Sequence, residues 1–332
     1  MNRQNRIINI VSDPKTIAGI IFSAGGIYWA FKDFNFHEFV NSIQRVNYLY
    51  LLLATIFLWS SVWLRALRWR WLFKVDALPT TTSLYQAELM GYFGNNILPL
   101  RLGELMRAYL IGREWNLSKK YVFGTIVLER ILDFLSLIVF AFLLILFYPL
   151  EESLREYIIW LEGISLVAIM IFIIILHRIK TIKINHKILN SLKDIIEGLL
   201  SINKKALFPV IAASFFIWGI YYLDVYLLQY AFGFNLSLPQ ALMVLVLSSL
   251  ALAIPSAPGM IGTFHAAVKY TMVDLFGFTP HDGHAFAILL HAYGYILLTL
   301  LGAYYFMKNQ FRNSAIQTVL DKDYNAKTES EF

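Results

Sequence analysis

Arginines and carboxylates at helical spacing are the groups in this chain best suited to chemistry. Between Gly91 and Gly112 it reads GYFGNNILPLRLGELMRAYLIG, with Arg101, Glu104 and Arg107 behind the amides Asn95 and Asn96. Further on, Glu129, Arg130 and Asp133 form an ER-x-x-D run. Glu129 and Asp133 are four apart and share a helix face, and Arg130 is within reach of Asp133 at i,i+3. Guanidinium groups make bidentate contacts with phosphate, so Arg101 and Arg107 are candidates for binding an anion, with the acids balancing them or binding a cation. A second reading stays open for Glu104, Arg107, Glu129, Arg130 and Asp133: an internal ion-pair network that holds helices together.

A second group is His265, Lys269 and Asp274. His265 suits proton coupling near neutral pH or simple helix packing. Asp224 is a lone acid in an apolar run and a candidate site by default, with Lys269 its candidate partner. His281, His284 and His291 match no standard zinc set. Walker, GxSxG and HExxH motifs are all missing, so neither enzymatic activity, metal nor cofactor is expected.

The elements that must hold these residues are set by composition. The chain has 332 residues, 58% of them hydrophobic, a net charge of +6 and no cysteine. Its mean hydropathy is +0.59. Apolar runs long enough to cross ~30 Å of hydrocarbon make it an all-α polytopic membrane protein. Lys and Arg cluster in alternate loops, which reflects membrane topology rather than nucleic-acid binding, and no nucleic acid is expected. Cysteine's absence excludes disulfides and thiolate chemistry.

Six full spans are expected: Thr16 to Phe31, Tyr48 to Leu64, Tyr121 to Tyr148, Tyr157 to Leu176, Ala206 to Tyr230, and Pro280 to Met307. Thr279 reads as the N-cap of the last one. The first is a retained span, not a cleaved signal. Arg65, Arg68, Arg70 and Lys74 after the second span read as cytoplasmic, with Trp63, Trp69 and Trp71 as an interfacial belt. His177 to Lys205 reads as an amphipathic helix on the inner leaflet, or as a linker helix between two halves. Residues 313–332 are expected to be a disordered cytoplasmic tail behind a single domain over 1–312. Both termini fall in the cytoplasm, and the location is the cell (inner) membrane.

Two segments do not fit plain spans. Thr80 to Gly112 is broken by Pro99 and Gly103, and Leu238 to Phe276 by Pro255, Pro258, Gly259 and Gly262. Irregular backbone at membrane depth must be sheltered by protein or line a cavity. Each segment therefore reads as a re-entrant pair of half-helices. Pro99 and Gly103 are spaced like Pro255 and Gly259. The units 48–148 and 206–307 thus read as an inverted repeat, with the breaks marking a transport site at their interface.

The pieces NNILPLRLGELMRAYL, ER-x-x-D and PSAPGMIGTF resemble the lysylphosphatidylglycerol synthase transmembrane region family, also called flippase-like domain proteins. The resemblance runs from about residue 15 to 310. The family includes the membrane part of the multiple peptide resistance factor, which is similar to a flippase for aminoacylated phosphatidylglycerol. The chain stops about 25 residues after its last span, so the soluble transferase domain of that protein is not expected. The resemblance implies movement of a phospholipid or polyprenyl-linked lipid between leaflets. The alternative is a membrane-embedded enzyme, or a partner that presents lipid to a separate transferase. His265 stands where the family usually has a glutamate, which weakens the case for a cationic headgroup there. Substrate, energy source, direction and oligomeric state are not given by the sequence.

Overall fold

The computed structural model describes residues 46–98, 101–181, 187–202, 204–253, 260 and 262–329. The expected first span and residues Pro99, Pro255, Pro258 and Gly259 lie outside that set. The described residues form ten α-helices and no strand: α1 Tyr48–Trp71, α2 Thr81–Ile97, α3 Leu102–Glu114, α4 Lys119–Phe147, α5 Glu152–Thr181, α6 Lys187–Leu199, α7 Leu207–Ala231, α8 Leu238–Ala253, α9 Thr263–Lys269 and α10 Pro280–Glu329. A π-helical turn, Tyr270–Leu275, follows α9.

Among the described residues, α1, α4, α7 and the Pro280–Asn309 part of α10 are long and apolar enough to cross a membrane. They occupy four of the expected spans. A fifth, Tyr157 to Leu176, lies within the 30-residue α5, whose Trp160, Ile164, Val167, Met170 and Ile171 are exposed, as a lipid-facing helix requires.

Local chemistry sets the ends. The side chains of Asn47, Thr80 and Ser118 accept backbone N–H bonds at the starts of α1, α2 and α4. Thr279 does the same for α10, accepting from the Asp282 N–H at 3.1 Å, as its sequence predicts. At its other end α2 stops at Ile97, and Leu98, the residue before Pro99, is extended with φ −103° and ψ 145°. A proline disfavours helical geometry in the residue before it, which explains the break.

The two breaks make two helical hairpins, α2/α3 and α8/α9. In the first, glycines permit contact between backbones: a Cβ on Gly103 would lie 2.0 Å from the Gly91 carbonyl oxygen. The halves are packed alike. Helix α1 touches α2 as α7 touches α8; α3 touches α4 as α9 touches α10; α2 lies on α10 as α8 lies on α4. Helices α1 and α7 cross antiparallel at the centre. The Asn47 N–H at the start of α1 donates to the Ala231 carbonyl at the end of α7 (2.8 Å), while Arg68 near the end of α1 donates to Ser214 near the start of α7 (3.0 Å). Two apolar cores result, one around Trp69, Leu84, Ile111 and Ile126, the other around Val244, Val268, Met272 and Phe286.

Three expectations are corrected. Helix α1 does not stop at Leu64 but continues to Trp71, and Arg65, Arg68 and Trp69 are buried within it. They are core residues, because acids on other helices neutralise the arginines. The last helix runs to Glu329 where a disordered tail was expected; no Gly or Pro interrupts 303–329. The segment from His177 to Lys205 is not one helix: α5 includes its first residues, and α6 covers Lys187–Leu199. Helix α6 packs on α4, with Gly198 against the Tyr121 carbonyl and Gly124 against that of Ile195, so this linker helix is docked on the first half.

Candidate functional site

Helix α1 contributes Arg65 and Arg68, three residues apart and so on one face. Helix α2 contributes Glu88, α3 Arg107, and α4 Glu129 and Asp133. These six buried residues alternate in charge around a closed ring. Arg65 pairs with Asp133 at 3.1 Å and faces Glu88 at 3.9 Å. Arg107 donates to Glu88 at 2.5 Å and to Glu129 at 2.6 Å. Arg68 faces Glu129 at 3.6 Å and closes the ring on Asp133 at 2.7 Å.

Three guanidinium groups against three carboxylates leave the ring formally neutral. A buried ion is costly unless paired and hydrogen-bonded, and this arrangement pairs every one. Short packing distances make it reachable. A Cβ on Gly91 would meet the Arg107 Cδ at 2.5 Å, so glycine leaves the groove in which the Arg107 stem lies. The Arg107 guanidinium also lies 4.1 Å from the centre of the Trp69 ring, whose indole N–H donates to Thr125 at 2.8 Å.

Glu104 and Arg130 extend the ring toward its exposed edge. They pair at 2.8 Å, and Arg130 reaches Asp133 at 3.7 Å. Their side chains are 17% and 36% exposed, which separates them from the buried six. Arg101 lies within electrostatic reach of both. It precedes α3 in left-handed geometry, φ 55° and ψ 39°. From the tip of the first hairpin its Nη2 donates to the carbonyl of Leu252, in the last turn of α8, and lies 3.9 Å from the Met260 sulfur. Carbonyls in a helix's last turn lack intrahelical partners and carry partial negative charge, so a guanidinium suits them. Thus Arg101 ties one break to the other.

The amides divide. The Asn96 side chain donates to Thr299 at 2.7 Å, and the Tyr295 hydroxyl donates to the Asn96 carbonyl at 3.2 Å, fixing α2 to α10. Asn95 lies against Gly103 with its Oδ1 buried and without a hydrogen-bond partner among the described residues.

In the second half, Gly262 opens α9 with φ 102°, a value that glycine adopts without strain. His265 and Lys269 are buried on α9. The His265 ring lies 4.7 Å from that of His291 on α10, and Phe264 lies 4.9 Å from the same ring. Asp274 is exposed in the π-helical turn. Asp224 is buried on α7, and among the described residues no ion pair joins it to Lys269, so that candidate pairing is not formed.

The fold therefore gathers Glu104, Arg107, Glu129, Arg130 and Asp133, as their spacing suggested, and sets Arg101 beside them. Asp224, His265 and Lys269 belong to separate surroundings. Sequence reasoning missed Arg65, Arg68 and Glu88. The usable signal was the i,i+3 spacing of two arginines within RALRWRW, interleaved with aromatic residues too regular for a loop.

Comparison with known proteins agrees with this architecture. The family model of the lysylphosphatidylglycerol synthase TM region matches residues 16–302. UPF0104 membrane protein MJ1595 of Methanocaldococcus jannaschii is 28% identical over 292 residues, 80% of this chain and 86% of the relative. UPF0104 membrane protein PH1989 of Pyrococcus horikoshii is 24% identical over 319 residues, 86% and 93% of the two chains. MJ1078 of M. jannaschii is 27% identical over 218 residues, 64% of this chain and 93% of its own. No solved structure matches significantly. With most of its length matched by the family model, this membrane protein belongs to the lysylphosphatidylglycerol synthase TM region family.

Proposed function

We propose that this protein moves a phospholipid, or another lipid-linked substrate such as a polyprenyl-linked lipid, between the leaflets of the cell membrane, without covalent chemistry. The observation that carries this reading is the place of Arg101. A cation sits where two broken hairpins meet, bonded to the end of α8, with Arg130 and Glu104 nearby at the exposed edge of a neutral ring. Two guanidinium groups and one carboxylate suit a phosphate beside a cationic amine, or a phosphate alone. Paired broken segments at a repeat interface are where membrane transporters place their substrates. The basic loops favour cytoplasmic termini, with Arg101 approached from the cytoplasmic side.

The test is dithionite quenching of fluorescent phospholipid in liposomes containing the purified protein. Wild type should expose inner-leaflet lipid faster than empty liposomes, and Arg101→Ala should not. Equal rates for Arg101→Ala and wild type, in folded protein, would remove Arg101 from the pathway. Appearance of a new lipid species by mass spectrometry would favour an enzyme.

A further inference from the structure

The two halves treat their buried charges differently. Helices α2 and α8 end at Ile97 and Ala253, 156 positions apart, and the same step from Arg68 leads to Asp224. In the first half every ring acid faces two arginines. In the second half Asp224 is only 8% exposed, and its Oδ1 has no hydrogen-bond partner among the described residues.

Among the described residues no ion pair is made to it. From α10, Tyr293 faces it and also neighbours Thr55 of α1. On its own helix, Tyr221 is engaged by Arg65 at 3.5 Å. On α4, Asp133 is held by Arg65 and Arg68. Helix α8 carries no titratable side chain. Lys269, the buried cation of α9, forms no ion pair with it among the described residues. An unpaired carboxylate in such a place is costly, and binding a small cation removes the cost. The Tyr293 hydroxyl oxygen, likewise buried and without a hydrogen-bond partner among the described residues, supplies a further oxygen ligand.

We infer that Asp224, with Tyr293, is a binding site for an exchangeable monovalent cation, H⁺ or Na⁺, whose movement is coupled to that of lipid. The coupling rests on the lipid-transport reading; the site does not. Asp224 would release its cation on exposure to one side of the membrane and rebind one on the other, as the two halves shift.

Infrared difference spectroscopy on the full-length protein in nanodiscs tests the site without transport. Wild type and Asp224→Glu should show a carboxylic-acid C=O band that is lost on raising the pH; Asp224→Asn should lack it. If Na⁺ at fixed pH also removes the band and K⁺ does not, sodium is a ligand; if pH alone acts, the ligand is the proton. Spectra identical for wild type and Asp224→Asn under all these conditions would overturn the site. In liposomes, a pH or Na⁺ gradient should speed lipid movement severalfold in wild type, with the stimulation lost in Asp224→Asn. The same stimulation in both would overturn the coupling. A titrating band without lipid movement in wild type would defeat the lipid reading and leave the cation site standing.

Discussion

Arg107 on α3 lies 2.5 Å from Glu88 on α2, so the hairpin created by the first break is clasped by a buried ion pair. The same guanidinium holds Glu129 of α4 at 2.6 Å, which makes it the joint between hairpin and span.

Arg107→Met should therefore strand two buried acids. Removing one partner of a buried ion pair costs roughly 3–5 kcal/mol. We expect a large loss of thermal stability in detergent, partly recovered by adding Glu88→Gln. An Arg107→Met protein as stable as wild type would mean that the ring does not hold the fold.

The pair between Arg130 and Glu104 should behave otherwise. A half-buried pair is worth less than a fully buried one, so Arg130→Gln should cost clearly less stability than Arg107→Met. On the proposed lipid reading, in which Arg130 helps hold the headgroup, lipid movement should nevertheless fall. Measuring melting and dithionite quenching on one preparation separates the two effects.

Gly103→Ala places a methyl group 2.0 Å from the Gly91 carbonyl oxygen, a backbone atom that cannot turn aside. Overpacking of this kind costs typically ~1–3 kcal/mol. Lower yield of monodisperse protein on size-exclusion chromatography is expected. Gly163→Ala, which meets nothing within 4 Å, is the control.

At position 101 glycine should be better than alanine. Left-handed geometry costs a residue with a Cβ roughly 1–2 kcal/mol, and both substitutions lose the bond to Leu252 equally. Arg101→Gly should thus unfold at a higher temperature than Arg101→Ala while both are defective in lipid movement. Equal stability would argue that position 101 is not held at positive φ.

Much of this fold could be read from residues alone, for reasons that are local. Pro99 forces Leu98 out of helical geometry, and Thr279, Pro280 and Asp282 specify a helix start without help from the rest of the chain. Partnership is not local. Nothing in the sequence joins Arg68 to Asp133, 65 residues later, and basic residues after a span already had a sufficient explanation in membrane topology. Glu88 was passed over because a single acid in α2 has no informative spacing. Arg101 was legible as a candidate from its company, but its bond to Leu252 depends on the two hairpins meeting. Asp224 was legible as an anomaly, while the absence of an ion pair with Lys269 is a fact of packing.

The antiparallel crossing of α1 and α7 makes the two halves alike in shape, yet the charged ring is confined to the first. Any rearrangement of that half would separate arginines from acids in a medium that solvates neither. Among the described residues the second half shows no such ring, and it is bonded to the first hairpin by Arg101 at Leu252 and by Asn96 at Thr299 and Tyr295. On the lipid-transport reading, this asymmetry would make the first half a stiff frame and leave a change of which side is open to the half that contains Asp224.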